Sequence, residues 1–304
     1  MSIRIGTRTS PLALAQAETV RSALLAADDG LDPNEVSLVP MLTQGDQGVP
    51  ADAGQWGLKG LFTKELEDAL LDGRVDIAVH SMKDVPSLLP ESLIITAMLE
   101  REDPRDAFIS TCVANFDALP QGAKVGTSST RRAAQVRMLR PDITLLPFRG
   151  NVGTRLSKLN AGDVHATFLA VAGLRRLDMQ QHITEVMDVT RMLPAVAQGA
   201  IGIECREGDD AMRERLKRIN HAATMLCVQT ERSLLAALDG SCRSPIAGYA
   251  ALDGHYISLH GQVIATDGSA IETGHIMAPL SDGERIGREL GLSLKHQASR
   301  FLDL

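Results

Sequence analysis

Aromatic residues are scarce. One Trp, two Tyr and six Phe make up 3% of the 304 residues, so any core must be built from Leu, Val, Ile, Ala and Met. That scarcity also leaves few platforms on which bases could stack, which argues against single-stranded nucleic acid as a partner. The four cysteines (Cys112, Cys205, Cys227 and Cys242) have no CxxC spacing, so neither a zinc site nor a redox pair is indicated. No stretch reaches the ~18 apolar residues that cross a bilayer. Residues 1–11 lack the apolar segment of a secretory leader. Together these absences predict a cytoplasmic protein with no membrane contact and, in a reducing compartment, no disulfides. There is no Gly-x-x-x-x-Gly-Lys-Ser/Thr loop, and no Gly-x-Gly-x-x-Gly follows the first strand, which speaks against a nucleotide ligand. The eight histidines show no metal-ligand spacing, and no metal is expected.

Charge is present but unevenly spread. Ten basic and two acidic side chains fall between Lys124 and Arg176, giving that window +8 in a chain of net charge -7, so the remainder carries -15. Such segregation points to a local field for an anion, inside a molecule whose other surfaces repel long polyanions. The plainer reading of a basic run is a solvated helix face. The neighbouring Gly, Ser, Thr and Asn residues at expected helix starts favour a binding site instead.

Hydrophobic periodicity predicts an α/β fold with mainly parallel sheets over the first 200 residues. Strands are expected at residues 2–6, 36–43, 76–80, 124–126, 144–148 and 166–170. Helices are expected at 11–27, 63–71, 130–139 and 152–161, the first with Ser10 as N-cap and Pro11 at N1. A faint internal echo links Gly6-Thr7, followed by a helix ending in Ala15-Gln16, with Gly126-Thr127, followed by a helix containing Ala134-Gln135. Two lobes of similar plan are the natural reading. Beyond residue 220 the pattern changes to a long helix (221–238), three strands (246–252, 256–265, 270–278) and a last helix (282–301), a smaller α+β domain. Residues 44–60 hold five glycines and few apolar residues, and are expected to form a functional lid.

Three strand-to-helix turns combine backbone N–H groups with hydroxyl or amide side chains and Arg: residues 7–10, 127–132 and 149–155. This is the chemistry of carboxylate or phosphate binding, and Arg adds a fork that grips carboxylates bidentately. Asp84 follows an apolar strand and precedes Val85-Pro86. Read as structure it is a turn former. Read as function it is an acid at the carboxyl end of a strand, able to shuttle protons or stabilise a cation. Cys242 lies among Gly, Ser and Pro beside Arg243, a setting that favours the thiolate, whereas the other three cysteines sit in apolar runs.

In order along the chain, Thr7–Leu14, His80–Pro86, Val125–Arg132, Arg149–Leu156, Leu169–Leu174, Pro194–Gly199 and Gly240-Ser241-Cys242 resemble the porphobilinogen deaminases (hydroxymethylbilane synthases). The resemblance runs almost end to end. It implies two periplasmic-binding-protein-like lobes, residues 1–99 with 200–217 and residues 105–193, and a C-terminal domain, 222–304, that carries the cofactor cysteine. It further implies a monomer that polymerises porphobilinogen, with loss of ammonia, on a dipyrromethane cofactor held by a thioether to Cys242.

Carried over residue by residue, Asp84 matches the catalytic aspartate. The cofactor set comprises Cys242, Lys83, Asp84, Thr127, Ser128, Ser129, Arg131, Arg132, Gly150, Gly173 and Gly199. Substrate carboxylates fall to Arg8, Ser10, Arg149, Arg155 and Arg176, with Phe62 and Gln198 beside the site. Thr130 departs from the family's usual aliphatic residue, and Arg243-Ser244 from smaller or uncharged ones. Two other functions fit part of the sequence. A non-catalytic anion-binding protein explains the Arg residues but not Asp84 or Cys242. An acyl-transfer enzyme would use Cys242 but lacks a recognisable His base.

Overall fold

The computed structural model describes residues 2–47, 60–239 and 245–301. In chain order the elements are β1 (Ile3–Arg8), α1 (Pro11–Ala27), β2 (Val36–Met41), α2 (Gln44–Gln47), α3 (Lys64–Leu71), β3 (Ile77–Ser81), β4 (Leu93–Met98), β5 (Asp106–Ser110) and β6 (Lys124–Gly126). Then come α4 (Thr130–Leu139), β7 (Thr144–Leu146), α5 (Val152–Asn160), β8 (Ala166–Ala170), α6 (Val171–Arg176), β9 (Glu185–Val186), β10 (Ile201–Arg206) and α7 (Asp210–Lys217). The last are α8 (Ala222–Ala237), β11 (Ile246–Asp253), β12 (Tyr256–Ile264), β13 (Ile271–Pro279) and α9 (Gly283–Ala298).

The chain divides into two compact units, Met1–Arg101 with Ala200–Met225, and Glu102–Gly199 with Leu226–Leu304. In the first, the strand order is β2-β1-β3-β10-β4. Pro11 opens α1, and the Ser10 side chain accepts from the Ala13 N–H, so the helix starts where its cap dictates. Ala13, Ala17, Val20 and Leu24 form its buried stripe, packing with Ile3 and Ile5 of β1 in one core cluster that also takes Ile77, Ile201 and Ile203.

The second unit repeats this plan. Its five-stranded sheet has the order β7-β6-β8-β5-β9, so β6, β7 and β8 stand where β1, β2 and β3 stand in the first. The echo in the sequence marks this equivalence: Gly6-Thr7 lies at the end of β1, and Gly126 ends β6 just before Thr127. Gln16 and Gln135, each six residues past its N-cap, are both buried. Phe108, Phe116 and Phe168 meet edge-on or tilted, with centroids 5.5–5.7 Å apart, at the centre of one of its cores.

The expected α/β class and its parallel strand pairs are present, with antiparallel strands beside them. β1 pairs in parallel with β2 and β3, and β6 with β7 and β8, but β10 runs antiparallel to β3 and β4, and β5 antiparallel to β8 and β9. The sheets are therefore mixed. The physical reason is topological: β10 enters its sheet after the excursion through the second unit and β5 leads into the second sheet, so neither belongs to a βαβ unit.

The rest of the second unit is the antiparallel sheet β11-β12-β13, covered on one face by α8 and α9. α9 carries Gly283, Gly287 and Gly291 on one stripe against α8. A Cβ at Gly287 would lie 2.4 Å from the Thr230 carbonyl oxygen, so the two helices approach to backbone contact. The expected lid at residues 44–60 is described only at its ends, as α2 and from Gly60 onward. The Cys242 loop, residues 240–244, lies outside the described residues.

Candidate active site

β1 and β3 are adjacent and parallel, so both end at one carboxyl edge, the position where open α/β sheets bind ligands. β1 ends in Arg8, and β3 runs into a 3-10 turn formed by Met82–Asp84. A pocket at this edge is lined by Arg8, Gln16, Phe62, His80, Ser81 and Asp84, among others. Three expected residues, Arg8, Phe62 and Asp84, are thus brought together; Ser10 and Lys83 do not line the pocket. Asp84 is half-buried, and its carboxylate has no hydrogen-bond or ion-pair partner among the described residues.

The neighbours of Asp84 are engaged. Ser81 donates to Gln16 Oε1 at 3.0 Å. His80 Nε2 lies 2.9 Å from Glu204 Oε2 on β10, both side chains buried. Burial raises the carboxyl of nearby Glu67 on α3 above its ordinary range, and Glu204 pushes the same way. Arg8 pairs side-on with Asp46 of α2 and lies over the Phe62 ring, 4.2 Å from its centroid. Burial alone would raise the Asp46 carboxyl, but hydrogen bonds from Arg8 and Thr43 hold it below the usual range.

In the second unit the two remaining turns sit at the equivalent edge. Ser129 caps α4, its side chain accepting from the Arg132 N–H, and Asn151 caps α5 by accepting from Thr154 at 2.8 Å. Ser128 Oγ accepts from the Phe148 N–H at 2.9 Å and Thr127 Oγ1 from Ser129 at 3.2 Å, which fixes the turn. The Thr130 hydroxyl is buried with no partner among the described residues, which suits the aliphatic residue more usual there.

Arg131 and Arg132 are almost fully buried, and both turn to Asp106, which opens β5. Arg131 Nη2 is 2.8 Å from Oδ2, and Arg132 reaches Oδ1 through Nη2 at 2.6 Å and Nε at 3.0 Å. Their other contacts are carbonyls: Arg131 donates to Leu193 and Arg132 to Phe168, each at 2.8 Å. Burial would raise the Asp106 carboxyl, but Arg131, Arg132 and Gln198 hold it far below the ordinary range. Burial lowers Arg131 in turn. Gln198 donates to Pro104 O at 2.7 Å and Asp106 Oδ1 at 3.0 Å, so it braces the triad.

Two guanidiniums on one carboxylate leave an excess of one positive charge. The other arginines add to it. Arg155 donates to Gly150 O at 2.8 Å, and burial, aided by Arg132, pulls it down to about 10. Arg176 donates to Gly199 O at 2.6 Å and is likewise lowered by burial to about 10, against the pull of Glu102. Arg149 is exposed, and neither it nor Arg155 has a carboxylate partner among the described residues. Gly150 and Gly199 have φ of +123° and +91°. A Cβ at Gly199 would lie 2.3 Å from Glu102 O, so only glycine fits where the crossing passes that backbone. Gly173 is buried within α6.

Comparison with known proteins places this geometry. The model for the dipyrromethane cofactor-binding domain of porphobilinogen deaminase matches residues 3–214, and that for the C-terminal domain of the same enzyme matches residues 225–296. The chain belongs to the porphobilinogen deaminase family. Members of that family work in tetrapyrrole biosynthesis by polymerising porphobilinogen, and dipyrromethane is their cofactor. In shape the chain is similar to a nutrient-binding protein from Burkholderia cenocepacia bound to methionine, at 14% identity over 70% of this chain and 89% of that one, TM-score 0.44. It is also similar to a periplasmic substrate-binding protein of an ABC transporter from Coxiella burnetii, at 13% identity over 73% and 94%, TM-score 0.45.

The guanidinium excess fits this cofactor, whose pyrroles carry acetate and propionate groups. Several residues at these sites carry little signal in the sequence. Gln16 carries only the signal of the internal echo, and His80 and Ser81 only that of the His80–Pro86 stretch. Asp106 and Asp46 had no local signal beyond an acid at the start of an apolar strand and an acid among glycines.

Proposed function

We propose that this deaminase joins four porphobilinogen molecules head to tail, releasing ammonia at each step, to give the linear tetrapyrrole hydroxymethylbilane. In this reading the protein is a monomer of three domains, and Cys242 carries dipyrromethane through a thioether. When bound, that group supplies the pyrrole carbon on which the chain grows. Thr127, Ser128, Ser129, Arg131, Arg132, Arg149, Arg155 and Arg176 hold the carboxylates of cofactor and growing chain. Arg131 and Arg132 do so from a rigid, Asp106-braced position, which preserves their geometry as ligands move past. Arg8 orients the incoming substrate by a carboxylate.

Asp84 is the acid–base group. Protonated, it donates to the leaving amine; ionised, it stabilises the positive charge left on the pyrrole methylene and takes the proton lost from the ring carbon. The observation that carries this reading is the Asp84 carboxylate, without a partner among the described residues, in a pocket shared with Arg8. Asp84→Asn keeps the shape and removes the titrating oxygen. Turnover is expected to fall by about 100-fold or more while the covalent cofactor remains. Turnover within tenfold of the parent would overturn the assignment.

A further inference from the structure

We infer that Asp46 tunes substrate affinity: it is an internal carboxylate that holds the Arg8 fork in place of a substrate carboxylate and so sets how tightly substrate is gripped. The inference rests on the proposed role of Arg8.

The geometry is that of a ligand contact made by the protein itself. Asp46 Oδ2 accepts from Arg8 Nε at 3.1 Å, and Oδ1 accepts from Nη2, the side-on bidentate pairing that guanidinium offers any carboxylate. Asp46 is delivered there by a braced segment. Its Oδ2 also accepts from Thr43 Oγ1 at 2.8 Å, Gly45 donates to Leu61 O at 2.9 Å, and Gln44 donates to Glu65 Oε1 at 3.1 Å. Phe62 seals the opposite side. Its ring covers a face of Arg8 and leaves no room for a Cβ on Gly45, which would lie 2.1 Å away.

The charge count gives the sign. Asp46 offsets the Arg8 charge, so among the described residues lining this pocket Asp84 is the carboxylate left without a compensating cation. An incoming pyrrole brings an ammonium group that suits Asp84 and carboxylates that must displace or share Asp46. Such tempering matches a reaction that repeats, because each carboxylate gripped in one addition must be released before the next. A returning Asp46 offers Arg8 another partner at that moment. If Asp46 served only to aim Arg8, removing it would weaken binding rather than strengthen it.

Asp46→Asn decides between these. The readouts are the KM for porphobilinogen and the propionate concentration that half-saturates a thermal shift of the protein as isolated. Both are expected to fall by about tenfold, one decade of affinity. Unchanged or raised values in a folded, cofactor-loaded variant would overturn the inference. Asp46→Ser, which keeps an acceptor for Thr43, gives the same readouts if the Asn variant does not fold. A parent protein with no covalent cofactor and no turnover would instead defeat the functional reading beneath it.

Discussion

Asp106 shows how much one side chain can organise. It is fully buried, carries two guanidiniums, and receives an amide N–H from Gln198. Removing one partner of such a set leaves the others as uncompensated buried charge, at a cost of about 3–5 kcal/mol. Asp106→Asn is therefore expected to lose about that much stability at neutral pH in urea denaturation. The pH dependence has a definite sign. The folded carboxyl lies below its unfolded value, so its contribution is complete above the ordinary aspartate range near pH ~4 and fades as pH falls further. The gap between parent and variant should be flat at neutral pH and narrow in acid; a gap that widened in acid would contradict the triad. The basic window drew attention to Arg131 and Arg132, but their partner lies 25 and 26 residues upstream, outside it. Sequence spacing does not reveal a pairing of that kind.

At the scale of elements, helices and parallel strands were legible because their signals are local. Ser10 and Pro11 start α1, and Thr130–Leu139 is helical as its pattern predicts. The strands β4, β5, β9 and β10 and the short helices α6 and α7 carry no such local signal. β5 and β10, which occupy equivalent places in the two sheets, each carry a buried acid, Asp106 at the start of β5 and Glu204 within β10, whose partners come from distant segments. The crossing before β10 is likewise built from afar. Glu231 of α8 accepts from Ala197 N at 2.6 Å and Ala250 N at 2.8 Å, and Ala197 takes a φ of +60° there. Close packing gives a prediction at this scale. Gly287→Ala places a methyl group against the Thr230 carbonyl and should destabilise the protein by about 1–3 kcal/mol. An unchanged melting temperature would mean that α8 and α9 are less tightly apposed than described.

Across the molecule, the repeated strand order puts a polar turn at the carboxyl edge of each five-stranded sheet: Arg8, Ser10 and Asp84 in one, the Arg-rich turns in the other. The short Gly-Thr echo was the visible trace of that repeat, and the charge window marked the second edge. What the sequence concealed was the neutralising partner of each site, Asp46 for Arg8 and Asp106 for Arg131 and Arg132, because ion pairs across a fold leave no periodicity. The central claim is that this chain grows a tetrapyrrole on a primer bound to Cys242. It is tested most directly by the intact mass of the purified protein after incubation with porphobilinogen, beside that of Cys242→Ser. The account predicts a parent mass raised by two pyrrole units joined with loss of ammonia, and no such increment in the variant. An unmodified parent, or the same adduct on Cys242→Ser, would contradict it.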